Sequence, residues 1–361
     1  MRQVARRVAI GDPQASLERF FAVLEHHDLL GDDGWLAPDV YLLSMGDHFD
    51  WGGAEERALA ARDGLCLLSW LAAHSEAQVG LILGNHDLGR VGELAAFDDA
   101  SFAPAHRQAV AAYRGGDVDA RAEAALLERY PCVPTAELLA RDFAAFIEPQ
   151  RELVAALLSA GRLRVALALS PQVLACHAGV TVAQLAALGL PPEVRDARSI
   201  ADALQRALSG AWAARDGSGP LVIPLLHRPG DRERGEGGGM FYHRPCNPVV
   251  MADPSALAGT YTRRYDARTL PLGITQIVGH IGDGKCRALL GSWAADVPTP
   301  AGALRHLRTD GDQVYYGPGT PSVDGADEAC VIFTDGRMAR TPPADYQLLD
   351  LASLQPLARP H

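Results

Sequence analysis

The chain has 361 residues, 48% hydrophobic and 21% charged, which is the balance of a globular protein with ample length for a core. Its net charge of -11 argues against a nucleic-acid surface, which needs a basic patch, but not against a small anionic substrate, because bound cations can invert a local field. No run of about 18 apolar residues is present, so no membrane span is expected. The first twelve residues carry arginines but no apolar stretch of secretory length. The six cysteines, Cys66, Cys132, Cys176, Cys246, Cys286 and Cys330, form no CxxC pair and read as reduced thiols of a cytoplasmic protein.

Along the chain one pattern recurs: a short apolar run, a glycine or small residue, then a side chain able to hold a metal. Val8–Ile10 leads to Gly11-Asp12, and Val40–Leu43 leads to Gly46-Asp47. Val79–Leu83 leads to Gly84-Asn85-His86-Asp87, Val173–Cys176 to His177-Ala178-Gly179, and Ile274–Val278 to Gly279-His280. Short apolar runs bounded by turn residues predict buried strands. Residues 15–29 and 54–73 place apolar side chains at helical spacing between the first three, so a largely parallel sheet with helices on its faces is expected. All five polar clusters fall at the carboxyl ends of their strands, where such sheets bind ligands.

Residues 88–160 are alanine-rich and predict a helical insertion over the site, or merely over the sheet; residues 181–215 predict a second one. Residues 227–248, rich in Gly, Arg and Pro, predict a loop. Ala329–Phe333 before Thr334-Asp335-Gly336, and Tyr346–Leu351, predict the last strands. No linker divides the chain, so residues 1–361 are expected to form one domain.

A lone Gly-Asp is usually a turn, and a lone histidine is usually structural. Five such clusters in order demand a common cause. Two divalent cations about 3.5–4 Å apart, sharing a carboxylate and a hydroxide, supply one. Asp47 would bridge, Asp12 would serve one cation, and Asn85, His177 and His280 the other. His86 would protonate a leaving oxygen, its ring oriented by Asp50.

The segments GDPQ (11–14), GDHFDWG (46–52), GNHD (84–87), HAG (177–179) and GH (279–280) resemble the five motifs of calcineurin-like metallophosphoesterases. The layout is most similar to the phosphoprotein phosphatase and diadenosine tetraphosphatase branch, including the Shewanella-like phosphatases. The resemblance implies an α/β fold, a central β-sandwich flanked by helices, with the helical insertions added. It implies a phosphatase with two divalent metal ions, Mn²⁺ first and Fe or Zn next. Asp12, Asp47, Asn85, His177 and His280 would be metal ligands, and His86 with Asp50 the acid dyad. The substrate would be a phosphoprotein, a small phosphomonoester or a dinucleoside polyphosphate. Asn85 would also touch that substrate.

Three departures from the family pattern matter. Gln14 stands where the family has a histidine, and would offer an amide oxygen to the metal or only touch a bound water. Trp51 stands where an arginine is usual; Arg244 would replace that phosphate clamp, with Arg228 and Arg234 behind it. The continuation after His280 differs, and brings Lys285 near as a further phosphate contact; His243 is another candidate site residue. The Gln14 and Trp51 departures also motivate the alternative of a non-catalytic scaffold on a degenerate phosphatase fold.

Overall fold

The computed structural model describes residues 6–191, 193–217, 219–321 and 327–358. Residues 1–5, part of the stretch weighed for a leader, lie outside them. Among the described residues no helix is long and apolar enough to cross a membrane, and all six cysteines are free.

Two sheets face one another. The first holds β1 (Arg6–Ile10), β2 (Val40–Ser44), β3 (Val79–Ile82), β4 (Leu163–Arg164) and, at its edge, β11 (Leu349–Asp350), in the order β11-β1-β2-β3-β4. All pairs in it are parallel except β11 with β1. The second holds β5 (Ala166–Ser170), β6 (Val173–Cys176), β7 (Thr275–Val278), β8 (Arg305–Thr309), β9 (Val314–Pro318) and β10 (Ala329–Phe333), in the order β9-β8-β10-β7-β6-β5. Its middle, β10-β7-β6, is parallel, and its flanks are antiparallel.

The apolar runs are continuous rather than alternating because both faces of each central strand are buried. Ala9, Leu43 and Ile82 of the first sheet meet Ala175, Ile277 and Ile332 of the second in one cluster. The residues between them, such as Val8, Leu42, Leu81, Leu174 and Val278, face outward into the helical layers. There α1 (Leu17–His26), started by Ser16 accepting from Arg19 N, buries Phe20, Val23 and Leu24. Behind it α2 (Arg57–Ala73) buries Leu67, Leu68 and Leu71. On the second sheet α8 (Ala197–Ala214) buries Ile200, Leu204 and Leu208.

Residues 88–160 are mainly helical: α4 (Asp99–Ala112), α5 (Ala120–Arg129), a π-turn at Leu138–Asp142 and α6 (Glu148–Ser159). A two-residue ladder, Tyr113–Arg114 with Asp117–Val118, interrupts them. The region 181–215 is helical too, with α7 (Val182–Ala187) before α8.

Several strands escaped the sequence pattern. Arg305–Thr309 reads RHLRT, with Leu307 its one apolar residue, and lies towards the sheet margin, so it makes no apolar run; Val314–Pro318 is the edge itself. Ala166–Ser170 reads ALALS, a composition with helical propensity that antiparallel pairing overrides. The final strand shrinks from 346–351 to Leu349–Asp350. Within 227–248 the expected loop is broken by two short pairings: His227–Arg228 with Gly238–Gly239, antiparallel, and Arg244–Cys246 with Arg264–Asp266, parallel.

Candidate metal centre and substrate cavity

Each sheet delivers three side chains at the carboxyl ends of three adjacent parallel strands. β1, β2 and β3 lead to Asp12, Asp47 and Asn85. β6, β7 and β10 lead to His177, His280 and Asp335. All but His177 line one cavity of about 500 Å³, together with Gln14 and His86.

The glycines of these loops have a specific cause. A Cβ on Gly279 would lie 1.9 Å from Asp12 Oδ1, and one on Gly84 would lie 2.2 Å from Asp47 Oδ1. One on Gly46 would lie 2.7 Å from Gly84 N and 2.9 Å from His177 Nδ1. Each glycine that precedes a candidate ligand thus makes room for a neighbouring loop. Asp47 (φ 57°), Asp50 (φ 64°) and His280 (φ 68°) all adopt left-handed backbone. Such conformations cost energy and gather at functional sites.

Backbone donors fix the carboxylates. His280 N donates to both Asp12 oxygens, at 3.0 and 2.9 Å, and His86 N donates to Asp47 Oδ1 at 2.9 Å. His177 Nδ1 donates to Met45 O at 2.8 Å, which turns Nε2 towards Asn85 Oδ1 at 3.0 Å and Asp47 Oδ2 at 3.4 Å. Atoms of Asp47, His177 and His280 able to hold a metal lie within 4.8 Å of one another. Both ring nitrogens of His280 are shielded from solvent without a hydrogen-bond partner. Orphaned imidazole nitrogens beside converging carboxylate and amide oxygens fit a divalent cation of the Mn, Fe or Zn type. The Nδ1 bond of His177 to a backbone carbonyl is also the usual way a ligating ring is oriented.

Electrostatics agree. Burial disfavours a charged His177 ring, but Asp47 and then Asp12 outweigh it and push the group up to about 9. Burial together with Asp335 pushes the Asp12 carboxyl well above its usual range. Burial and then the Arg244 cation keep His280 neutral. Negative charge concentrated in this way would be offset by a divalent cation held among these groups.

His86 lies at the cavity wall. Its Nδ1 donates to Asp50 Oδ2 at 2.9 Å, so Nε2 is the available end. Asp50 in turn accepts from Arg90 at 2.7 Å and Ala145 N at 3.2 Å. Arg90 is fully buried over the Phe49 ring and donates to Gln150. Burial opposes a charged His86, yet Asp47 and Asp50 push it up to about 10.

Asp87, the last residue of GNHD, points away from the cavity into the scaffold. It accepts from Gly84 N at 2.9 Å, Asp47 N at 3.2 Å, His48 N at 3.1 Å and the His48 ring at 3.0 Å. These bonds tie two site loops together. Burial would raise its pKa, but the His48 ring and the backbone donors hold it far below the usual carboxylate range. Asp87→Asn puts a donor where only donors point, and is expected to cost about 3 kcal/mol of stability. Urea unfolding checks this; a loss under about 0.5 kcal/mol would show that Asp87 is not a structural tie.

Gln14 donates through Nε2 to Phe49 O at 2.8 Å, which leaves its amide oxygen as the end able to meet a cation or its water. Arg244 reaches the cavity, half-buried, with one ion-pair partner at 3.7 Å in Glu236 and its Nε unpartnered. Arg228 does not reach it; that side chain lies over the Tyr261 ring at 5.1 Å and lines a separate surface depression. Arg234 and Lys285 line the cavity. Trp51 turns into an apolar cluster with Ala60, Ala61 and Ala145. His243 is committed to Gly179 O and Gln184, so it braces the HAG loop instead of facing a ligand.

Sequence reasoning missed Asp335, Glu93, Tyr242, Arg141 and Arg263 as cavity residues. Asp335 carried a signal, the same strand–turn–carboxylate pattern as Asp12. The others carried none.

The family profile described as calcineurin-like phosphoesterase matches residues 5–249. Among solved structures, the chain is similar to the cold-active protein-tyrosine phosphatase of a psychrophilic Shewanella species, at 12% identity, TM-score 0.42, with 95% of this chain and 74% of that one covered. A second structure of a cold-active protein tyrosine phosphatase, at 1.1 Å, is similar at 13% identity and TM-score 0.41, covering 96% of this chain and 73% of that one. No curated protein matches significantly in sequence.

Proposed function

Because the chain belongs to the calcineurin-like phosphoesterase family, whose members hydrolyse phosphoesters with divalent metal ions, we propose that it cleaves a small polar phosphate monoester at a centre of two cations. When bound, such a pair would lower the pKa of a water and draw charge from the phosphoryl oxygens. Asn85, His177 and His280 would hold one cation, Asp12 and Gln14 the other, and Asp47 would serve both. This mixed oxygen and nitrogen set suits Mn²⁺, with Fe or Zn as the other candidates.

His86 gives its Nε2 proton to the departing oxygen, since its Nδ1 is committed to Asp50. Asn85 and Arg244 hold the phosphoryl group, and the Arg244 guanidinium contacts two of its oxygens where Trp51 cannot. The convergence of these groups on one cavity carries the reading. That family membership and the intact His86–Asp50 pair favour an enzyme over a scaffold. A cavity of about 500 Å³, walled by Thr135, Leu138 and Phe143, supports a small phosphomonoester over a phosphoprotein or a dinucleoside polyphosphate. In this reading residues 1–361 act as one unit, and 88–160 are its cap.

Protein stripped of metal is expected to lose hydrolysis of p-nitrophenyl phosphate by at least about a hundredfold, and Mn²⁺ to restore it. Calorimetric titration is expected to show two Mn²⁺ per chain. Equal turnover with and without metal would sink the two-cation centre.

A further inference from the structure

Glu93, just beyond α3 (Asn85–Val91), is 2% exposed and lines the cavity. Its Oε1 accepts from Gly230 N at 2.7 Å and from the Tyr242 hydroxyl at 3.3 Å, which pins the 227–248 loop. Its Oε2 has no partner. The loop-pinning role therefore explains only half of the carboxyl group. Beside it the Gly237 backbone packs close: a Cβ there would lie 2.8 Å from the Tyr242 hydroxyl and 2.9 Å from Glu93 Oε1, so any larger residue must push both groups aside.

Charge pairing along the cavity wall isolates this group. Arg141 pairs with Glu137 at 2.6 Å and Asp142 at 2.9 Å, Arg263 with Glu236 at 2.8 Å, and Arg234 with Asp231. Lys285 has no ion-pair partner among the described residues, and Arg244 has only the distant Glu236. Those two cations suit a phosphoryl group. Glu93 is left as a buried carboxyl without a cation, a costly arrangement unless a ligand supplies one. Burial pushes its proton affinity up, as expected for a carboxyl waiting without a counter-charge.

We propose that Glu93 Oε2, with Tyr242 beside it, receives a protonated amine on the leaving group, so that the substrate class is amine-bearing phosphate monoesters. This rests on the phosphoesterase reading above. The test compares kcat/KM for ω-aminoalkyl phosphates, from ethyl to hexyl, with the matching ω-hydroxyalkyl phosphates. At the chain length that spans the cavity, the wild type is expected to prefer the amine by at least about tenfold. Glu93→Gln keeps an acceptor for Gly230 N but replaces the free oxygen, and is expected to bring the ratio near one. Gly237→Ala, whose Cβ would displace the Tyr242 hydroxyl and the Glu93 carboxyl, is expected to do the same. A ratio cancels any general loss through misfolding. No amine preference at any length, or a preference that survives both variants, overturns the proposal. Wild-type hydrolysis of p-nitrophenyl phosphate in the same assay separates that failure from failure of the phosphoesterase reading, which would fall if that ester were not cleaved at all.

Discussion

Asp47→Asn is expected to lower kcat for p-nitrophenyl phosphate with saturating Mn²⁺ by at least about a thousandfold, a loss of about 4 kcal/mol of transition-state stabilisation. The residue is 3% exposed, and both carboxylate oxygens are engaged in the site. Oδ1 accepts from His86 N, and Oδ2 lies 3.4 Å from His177 Nε2. An asparagine keeps the volume, and its carbonyl oxygen can retain the His86 bond. Its amide then aims N–H donors at the point where His177, Asn85 and His280 converge. A shared cation ligand must present electron pairs to both partners, and one end of the amide cannot. Mn²⁺ titration should accordingly fall below two ions per chain while far-UV circular dichroism stays native. A variant that keeps kcat within tenfold of wild type would show that Asp47 is not the shared ligand.

The sequence exposed the centre better than it exposed the cavity around it. Strand–glycine–ligand clusters were legible because each glycine answers a contact the fold imposes: Gly279 for Asp12, Gly84 for Asp47. Those contacts join loops far apart in the chain, so the motif is local while its cause is not. The central strands were legible because burial on both faces leaves few polar positions, such as Ser44, Thr275 and Gln276. Edge strands such as Val314–Pro318 lack that signature and were missed. Nothing in the spacing could separate Arg244 from Arg228 within one irregular loop. The pairing of Arg244–Cys246 with Arg264–Asp266 brings the first into the cavity, whereas the second packs on Tyr261. Glu93 and Tyr242 meet only because that loop folds back onto the end of α3. An isolated glutamate in an alanine-rich stretch carries no trace of that encounter.

Replacing His86 by asparagine should separate leaving-group protonation from everything else the site does. The ring is fixed through Nδ1 by Asp50, which Arg90 and Ala145 N hold in turn, so Nε2 has a defined direction. His86→Asn would still allow the backbone N–H at this position to reach Asp47 Oδ1, because that bond does not involve the side chain. The metal ligands are therefore expected to stay in place. Alkyl phosphates, whose departing alkoxide needs a proton, should lose about a hundredfold to ten-thousandfold in kcat. p-Nitrophenyl phosphate, whose leaving group departs as a stable anion, should lose less than about tenfold. Across a series of esters the dependence of log kcat on leaving-group pKa should steepen in the variant. Parallel lines for wild type and variant would remove His86 from proton transfer, leaving the His86–Asp50 pair with an orienting role around Asp47 alone.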